Sequence, residues 1–166
     1  MRTKILTMFA ALLLVAACET APDSSATASG AGSSSGSAVS STTPAGPRAG
    51  SQEDLVVNVG DRIFFNFDEY SVRADQRGQV DKWAAWMKRN PSVRVTVEGH
   101  ADERGTREYN LALGERRAGA IKDALVAQGI DASRLMTISY GKERPAVLGS
   151  NDAAWAQNRR GVLVVN

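Results

Sequence analysis

Two side chains of opposite charge, Asp102 and Arg117, are the strongest candidates for chemistry in this sequence. Asp102 lies in a polar loop that reads GHADERG, and Arg117 lies in the helix-like segment that follows it. A carboxylate takes an ammonium group, whereas a planar guanidinium takes a carboxylate through two parallel hydrogen bonds. The pair therefore suits a small zwitterion held in a cleft. The same spacing also suits an ordinary surface salt bridge, and spacing alone leaves both interpretations open.

A strand and a helix must position these two charges. Valines at every second position predict a strand over residues 93–97, with its valines on one face. A helix is predicted to begin after Thr106, a suitable N-cap, and to run to about Gln128, where Gly129 stops it. The charged loop between them is expected to stay at the surface, because unpaired charges are costly to bury.

The predicted helix has two stripes along its length. The core stripe consists of Leu111, Ala118, Ile121 and Leu125. The stripe beside it consists of Asn110, Leu113 and Arg117, so the guanidinium shares its face with an amide and an aliphatic side chain. This second stripe is the part of the helix that is expected to face the polar loop.

Other segments complete an alternating pattern of strands and helices. Residues 61–67 predict a strand in which Ile63, Phe65 and Phe67 share one face, and residues 55–59 predict an edge strand or a lead-in. A helix over residues 72–90 is predicted to follow an N-cap at Ser71 and to end before Pro91. Trp86 lies at the edge of its apolar stripe, so partial exposure is one alternative, and packing against the sheet is the commoner outcome. Later elements are predicted at residues 135–140 (strand), 150–158 (short helix) and 161–165 (strand).

This order predicts a two-layer α/β sandwich over residues 54–166. The two long helices link strands, so they are expected to cover one face of a small mixed four-stranded sheet, in the order βαβαβ(α)β. The candidate cleft lies where the loops at residues 67–70 and 99–107 meet the helix that carries Arg117.

The blocks GHADERG, YNLALGERRA, SYGKERPAVLG and NRRGVLVV resemble the peptidoglycan-associated lipoproteins of the OmpA-like domain family, in the same order and over roughly residues 63–165. The resemblance implies a non-catalytic domain that holds the diaminopimelate side chain of peptidoglycan stem peptides. The family's binding aspartate matches Asp102, and its binding arginine matches Arg117. Backbone N–H groups just after Phe67, at Asp68, are implied to help hold the ligand's carboxylate.

Three further side chains are assigned to the same implied site. Leu113 and Phe67 are expected to wall the aliphatic part of the ligand, and Asn110 is expected to bond its peptide. The resemblance also implies partners in the periplasmic Tol–Pal system, chiefly TolB. The sequence itself shows no surface for such a partner.

The amino-terminal segment predicts a lipid anchor. Arg2 and Lys4 precede an apolar stretch that is too short to span a bilayer, and small residues then lead to Cys18, the only cysteine. This arrangement resembles the site at which bacterial lipoproteins are cut and lipidated. Residues 1–17 are therefore interpreted as a signal peptide, although a plain secretory signal with an incidental cysteine is the alternative. Residues 18–53, rich in Ser, Ala, Gly and Pro, are interpreted as the lipidated cysteine and a disordered tether.

The overall composition disfavours two classes of function. If Arg2 and Lys4 are removed with the signal peptide, 18 of the 20 basic residues remain against 18 acidic ones, and a neutral chain is a poor nucleic-acid binder. A hydrolase or metal centre built on His100, Asp102 and Glu103 is disfavoured, because the chain has one histidine in all. No enzyme activity, cofactor or metal ion is expected.

Together these expectations describe an outer-membrane lipoprotein whose domain faces the periplasm and tethers the membrane to the wall without a covalent bond. Its expected setting is the Tol–Pal system of envelope integrity and cell division. The alternative is an OmpA-like lipoprotein that acts only as a protein–protein adaptor and does not bind the wall.

Overall fold

The computed structural model describes residues 46–166, so the predicted signal peptide, Cys18 and most of the predicted tether lie outside the described residues. Within this range one mixed sheet has the strand order β1-β4-β2-β3. Its strands are β1 (Arg62–Phe64), β2 (Val95–His100), β3 (Leu135–Gly141) and β4 (Arg160–Val165). Strand β4 is antiparallel to β1 and β2, and β2 is parallel to β3. The predicted α/β fold with a mixed four-stranded sheet is confirmed.

The helices of the described range alternate with these strands. They are α1 (Gln52–Asp54), α2 (Arg77–Arg89), α3 (Arg107–Ala127) and α4 (Asp152–Asn158). A π-helical turn (Leu55–Val59) follows α1, and short 3₁₀ turns precede α2 and β3. None of the described helices combines the length and the apolar character needed to cross a bilayer.

The hydrophobic core lies between the sheet and the helices α2 and α3. Its buried members fall between Leu55 and Leu163, so the described range contains a complete core. Helix α3 approaches β2 very closely at two glycines, because a Cβ on Gly99 would collide with the carbonyl oxygen of Gly114. This contact brings the first turns of α3 directly over the end of β2, where the polar loop begins.

Helix α3 forms where its capping residues predict it. The side chain of Thr106 accepts a hydrogen bond from the backbone N–H of Tyr109, which satisfies a free donor of the first turn. At the other end Gly129 adopts a left-handed conformation (φ 86°) that ends the helix. Of the predicted core stripe, Ala118, Ile121 and Leu125 are fully buried.

The predicted strand at residues 61–67 is too long. Strand β1 ends at Phe64, and a turn follows in which Asp68 has a left-handed backbone (φ 57°) and the N–H of Glu69 donates to the carbonyl of Asn66 (3.4 Å). The turn breaks the alternation, so Phe67 is 58% exposed whereas Phe65 is buried. The prediction that these two rings share a core face is therefore wrong.

Helix α2 begins later than predicted and does not use Ser71 as its cap. A 3₁₀ turn (Ala74–Gln76) comes first, and the side chain of Gln76 accepts a hydrogen bond from the N–H of Phe64 (3.2 Å). The helix ends at Arg89, close to its predicted end before Pro91. Trp86 is only 2% exposed, so it is packed rather than partly exposed.

The amino-terminal part of the described chain packs onto the domain. Residues 55–59, predicted as a strand or a lead-in, form a π-helical turn that Gly60 ends. Helix α1 begins at Gln52, within the range interpreted as tether, and its Asp54 accepts a hydrogen bond from the indole of Trp86 (2.8 Å). The side chain of Gln52 accepts from the N–H of Val165 (2.7 Å), so the chain enters the domain beside the end of β4.

Candidate functional site

A cavity of about 160 Å³ lies between the turn after β1, the loop after β2 and the first turns of α3. It brings together every predicted ligand-binding residue: Phe67, Asp68, Asp102, Asn110, Leu113 and Arg117. Four residues that the sequence did not assign also line it: Arg104, Gly105, Tyr109 and Arg159. The two charges fifteen positions apart thus share one cavity, as the zwitterion hypothesis requires.

Arg117 forms a buried cationic wall of the cavity. Its side chain is 0% exposed, and its guanidinium donates to three backbone carbonyls, those of Glu69 (2.8 Å), His100 (2.7 Å) and Asn66 (3.0 Å). These bonds join the turn after β1 and the end of β2 to helix α3. None of the carboxylates in the described chain forms an ion pair with Arg117, because its partners are neutral oxygens.

Burial makes this cation energetically costly. Desolvation lowers the pKa of Arg117 to about 10, while the nearby carboxylate of Asp102 opposes the shift and the guanidinium of Arg159 adds to it. A buried guanidinium has five donors and here uses three hydrogen bonds, so it retains donors for another oxygen. An anionic ligand would compensate the buried charge.

Asp102 is the buried carboxylate of the cavity and is 4% exposed. Its Oδ2 accepts from Arg104 Nη2 (2.7 Å) and from Arg159 Nη1 (3.3 Å), and its Oδ1 accepts from the backbone N–H of Arg104 (3.1 Å). Burial alone would raise the pKa of Asp102, but the hydrogen bonds from Arg104, with a smaller contribution from Arg159, hold it below its usual value. Asp102 is therefore ionised at neutral pH.

Of the two consecutive arginines at the start of β4, Arg159 is the one that lies beside the cavity. Its Nε also donates to the carbonyl of Phe65 (3.1 Å). Arg160 instead donates to the carbonyls of Asn158 (3.4 Å) and Arg144 (3.1 Å), outside the cavity lining. The difference follows from β4, which begins at Arg160 and fixes its direction.

The mouth of the cavity carries two exposed aromatic rings. Phe67 lies on the turn after β1, and Tyr109 on the first turn of α3 is 47% exposed. The hydroxyl of Tyr109 donates to the carboxylate of Asp68, which ties the turn to the helix and raises the pKa of Tyr109. Tyr109 could have been found in the sequence, because it lies one residue before Asn110 on the helix that faces the loop.

Asn110 and Leu113 lie deeper in the cavity. Asn110 is 2% exposed, and its amide nitrogen donates to the carbonyls of Arg104 (2.8 Å) and Thr106 (3.1 Å), so both of its N–H donors hold the loop. Only its side-chain oxygen is left for a ligand. Leu113 is 6% exposed and supplies an aliphatic wall on the same face of α3.

The histidine and acids of the loop do not form a reactive cluster. His100 is 1% exposed and does not line the cavity, and the indole of Trp155 donates to Glu103 (2.9 Å). Within residues 46–166 no group of three or more His, Cys, Asp or Glu side chains is placed to hold a metal ion.

The comparisons with known proteins agree with this fold and this arrangement of motifs. The profile of the OmpA family matches residues 64–159, more than half of the chain, so the chain belongs to the OmpA family. Within that family it is 58% identical over 116 residues to the peptidoglycan-associated lipoprotein of Agrobacterium fabrum, which covers 70% of this chain and 66% of the relative. The chain thus spans about two thirds of the length of such a relative.

Two further comparisons extend the likeness. The peptidoglycan-associated lipoprotein of Brucella melitensis is 55% identical over 117 residues, covering 70% of each chain. The crystal structure of the peptidoglycan-associated lipoprotein from Burkholderia pseudomallei superimposes with a TM-score of 0.62 at 42% identity, covering 64% of this chain and 90% of that one. The resemblance stated from the sequence blocks is confirmed.

Proposed function

We propose that this chain is an outer-membrane lipoprotein that tethers the membrane to peptidoglycan by binding meso-diaminopimelate without a covalent bond. The observation that carries the proposal is the buried guanidinium of Arg117, whose hydrogen-bond partners among the described residues are backbone carbonyls. This guanidinium lines the same small cavity as the carboxylate of Asp102. The names of the most similar relatives, which include both peptidoglycan association and lipid attachment, support the same function.

Diaminopimelate fits the charges of the cavity. The end of its side chain is a zwitterionic amino-acid centre, so its carboxylate would bind Arg117 and its ammonium would bind Asp102. Leu113 and Phe67 would contact the methylene groups, and the backbone N–H at Asp68 would add a donor to the carboxylate. The cavity of about 160 Å³ is large enough for such a side-chain end but not for a whole stem peptide, which would lie across the mouth.

The remaining parts of the proposal concern the cell. Acyl chains on Cys18 would hold the protein in the outer membrane, and more than one chain is needed for stable anchoring. The domain would act in the periplasm as a binding module of the Tol–Pal system, with TolB as its chief partner, in envelope integrity and cell division. In this function it needs no cofactor and performs no reaction.

Sedimentation with purified sacculi tests wall binding. A fragment of residues 46–166 contains the whole described core and keeps the contacts of α1, so it is the appropriate soluble form. We expect the wild-type fragment to sediment with sacculi and Asp102→Asn and Arg117→Lys to remain in solution. Losing one partner of a buried charge pair costs about 2–5 kcal/mol, which is roughly a 30-fold to 4,000-fold loss of affinity.

Control variants separate binding from folding. Arg107→Ala removes an exposed arginine that pairs with Glu143 (3.4 Å) outside the cavity lining, so it should sediment like the wild type. Thermal unfolding of Arg117→Lys shows whether the loss of its carbonyl contacts has destabilised the fold. Undiminished sedimentation of both cavity variants would refute the site. Calorimetry with a diaminopimelate stem peptide distinguishes wall binding from a purely protein-binding adaptor.

A further inference from the structure

Arg104 occupies the position on Asp102 that a ligand's ammonium would need. Its guanidinium donates to both carboxylate oxygens, from Nε to Oδ1 (3.2 Å) and from Nη2 to Oδ2 (2.7 Å). Arg159 takes a further position on Oδ2 (3.3 Å), and Asp102 is 4% exposed. A ligand ammonium therefore cannot reach this carboxylate while Arg104 stays in place.

The same guanidinium also covers the aromatic wall of the cavity. Its central carbon lies 4.0 Å from the centroid of the Phe67 ring and 4.1 Å from that of the Trp155 ring, so it is held between two aromatic faces. Phe67 is the ring expected to contact the methylene groups of the ligand. One side chain thus contacts two of the groups that the proposed site would use, the carboxylate of Asp102 and one face of the Phe67 ring.

We propose that Arg104 is a latch that competes with the ligand's cation for Asp102 and thereby weakens every ligand that offers no second contact. The inference rests on the proposed function, in which Asp102 receives an ammonium. In the free protein the guanidinium of Arg104 stands in for that ammonium and, with the more distant guanidinium of Arg159, compensates the buried charge of Asp102. On binding, one cation replaces the other and the Phe67 ring becomes free to contact the ligand.

The surroundings allow the side chain to leave while the loop stays. The backbone of Arg104 is fixed by the amide of Asn110, which donates to its carbonyl (2.8 Å). The side chain itself is 34% exposed, and its pKa is raised mainly by the hydrogen bond to Asp102 and to a smaller extent by the negative charges of Asp152 and Glu103. A released guanidinium can therefore turn outward towards these carboxylates, and the walls of the cavity do not have to move.

This exchange explains how the site would reject a ligand that carries an ammonium alone. When such a ligand binds, its ammonium gains a contact with Asp102, but the protein loses the contact between Arg104 and Asp102. The free energies of these two contacts nearly cancel. A zwitterion gains in addition the contact of its carboxylate with Arg117, which has no carboxylate partner in the described chain. The latch therefore predicts that lysine-containing stem peptides bind much more weakly than diaminopimelate-containing ones.

Calorimetry on the full-length protein in detergent tests the latch with two synthetic stem peptides that differ only in having diaminopimelate or lysine. We expect Arg104→Ala to bind the diaminopimelate peptide about tenfold more tightly than the wild type, the combined effect of one partly buried ion pair and two cation–π contacts. Binding of the lysine peptide should strengthen by at least the same factor. Arg107→Ala, the matched control, should bind both peptides like the wild type.

The results separate the latch from the proposed function. If the wild type binds the diaminopimelate peptide and Arg104→Ala binds it equally or more weakly, Arg104 is a ligand contact or a bystander, and only the latch is refuted. If neither protein binds it, the proposed function fails and the latch fails with it. If Arg104→Ala alone binds it, the latch is supported in its strongest form.

Fluorescence provides an independent measurement. Trp83 and Trp86 are buried, whereas Trp155 is partly exposed and touches the guanidinium of Arg104, so a change in emission on binding reports the departure of that group. We expect the diaminopimelate peptide to change the emission of the wild type but to change that of Arg104→Ala and Trp155→Phe much less. Binding by the wild type without any change in emission would contradict the release of Arg104.

Discussion

His100 should make the stability of the domain fall as the pH drops below neutral. Its ring is 1% exposed, and it lies against Tyr140, with the ring centroids 5.5 Å apart. One carboxylate oxygen of Glu98 lies 3.4 Å from Nε2, which favours a charged ring. Burial and the positive charges of Arg160 and Arg144 outweigh it and lower the pKa of His100 to about 4.

The size and sign of the effect follow from this shift. In the unfolded chain the histidine has its ordinary pKa of 6.5, so below that pH the unfolded state takes up a proton that the native state accepts only near pH 4. The contribution of His100 is therefore fully present above pH 6.5 and is lost as the pH falls towards 4. At about 1.4 kcal/mol per pKa unit, the loss amounts to about 3 kcal/mol.

Urea unfolding of residues 46–166 at several pH values between about 7.5 and 4 measures this loss. His100→Gln is the matched variant, because its side chain does not titrate while all carboxylates remain. Between about pH 7.5 and pH 4, the free energy of unfolding of the wild type should fall by about 3 kcal/mol more than that of His100→Gln. Parallel curves for the two proteins would refute the reasoning.

The close approach of β2 and α3 and the burial of Trp86 give two further predictions. Gly99→Ala should lower the free energy of unfolding by about 3 kcal/mol or more, because its Cβ collides with the carbonyl of Gly114. Gly119→Ala, where nothing lies within 4 Å, should raise it by about 0.5–1 kcal/mol; equal effects in denaturant unfolding would contradict this. Trp86→Phe should cost about 1–2 kcal/mol, because the hydrogen bond to Asp54 is lost; an unchanged midpoint would show that this bond contributes nothing.

Local signals made much of the scaffold predictable. Helix α3 could be placed almost to the residue, because the cap at Thr106 and the left-handed glycine at Gly129 act within one turn of the helix ends. The short helix α4 begins at Asp152, close to its predicted start at residue 150, because the side chain of Asn151 caps its first turn. The position of β4 between two other strands agrees with its continuous apolar run, which suits burial on both faces.

The features that the sequence predicted wrongly or left open depend on contacts between distant segments. The sequence left open whether Trp86 is exposed or packed, because its partner Asp54 comes from the amino-terminal turn, more than thirty residues away. The turn after β1 is held by the guanidinium of Arg117, about fifty residues away. The alternation of Phe65 and Phe67 in the sequence does not indicate this contact. Tertiary contacts of this kind override local pattern.

At the candidate site, too, contacts between residues close in sequence were predictable, whereas contacts between distant segments were not. The cavity itself was predicted from Asp102 and Arg117, and their shared location follows from a strand, a loop and a helix that are consecutive in sequence. Arg104 is only two residues from Asp102, so their pairing could have been anticipated from the loop alone. Its contact with Trp155 could not, because that ring comes from α4.

The entry of the chain beside the end of β4 has a mechanical consequence. Gln52 bonds the backbone at Val165, whereas the cavity lies near the opposite end of the same strand, where Arg159 reaches Asp102. A pull between the incoming chain and a ligand would run lengthwise along this strand for roughly 17 Å. Because β4 is bonded on both sides, by β1 and β2, its ladders would be loaded in shear, and several bonds would have to break together before the strand could slip.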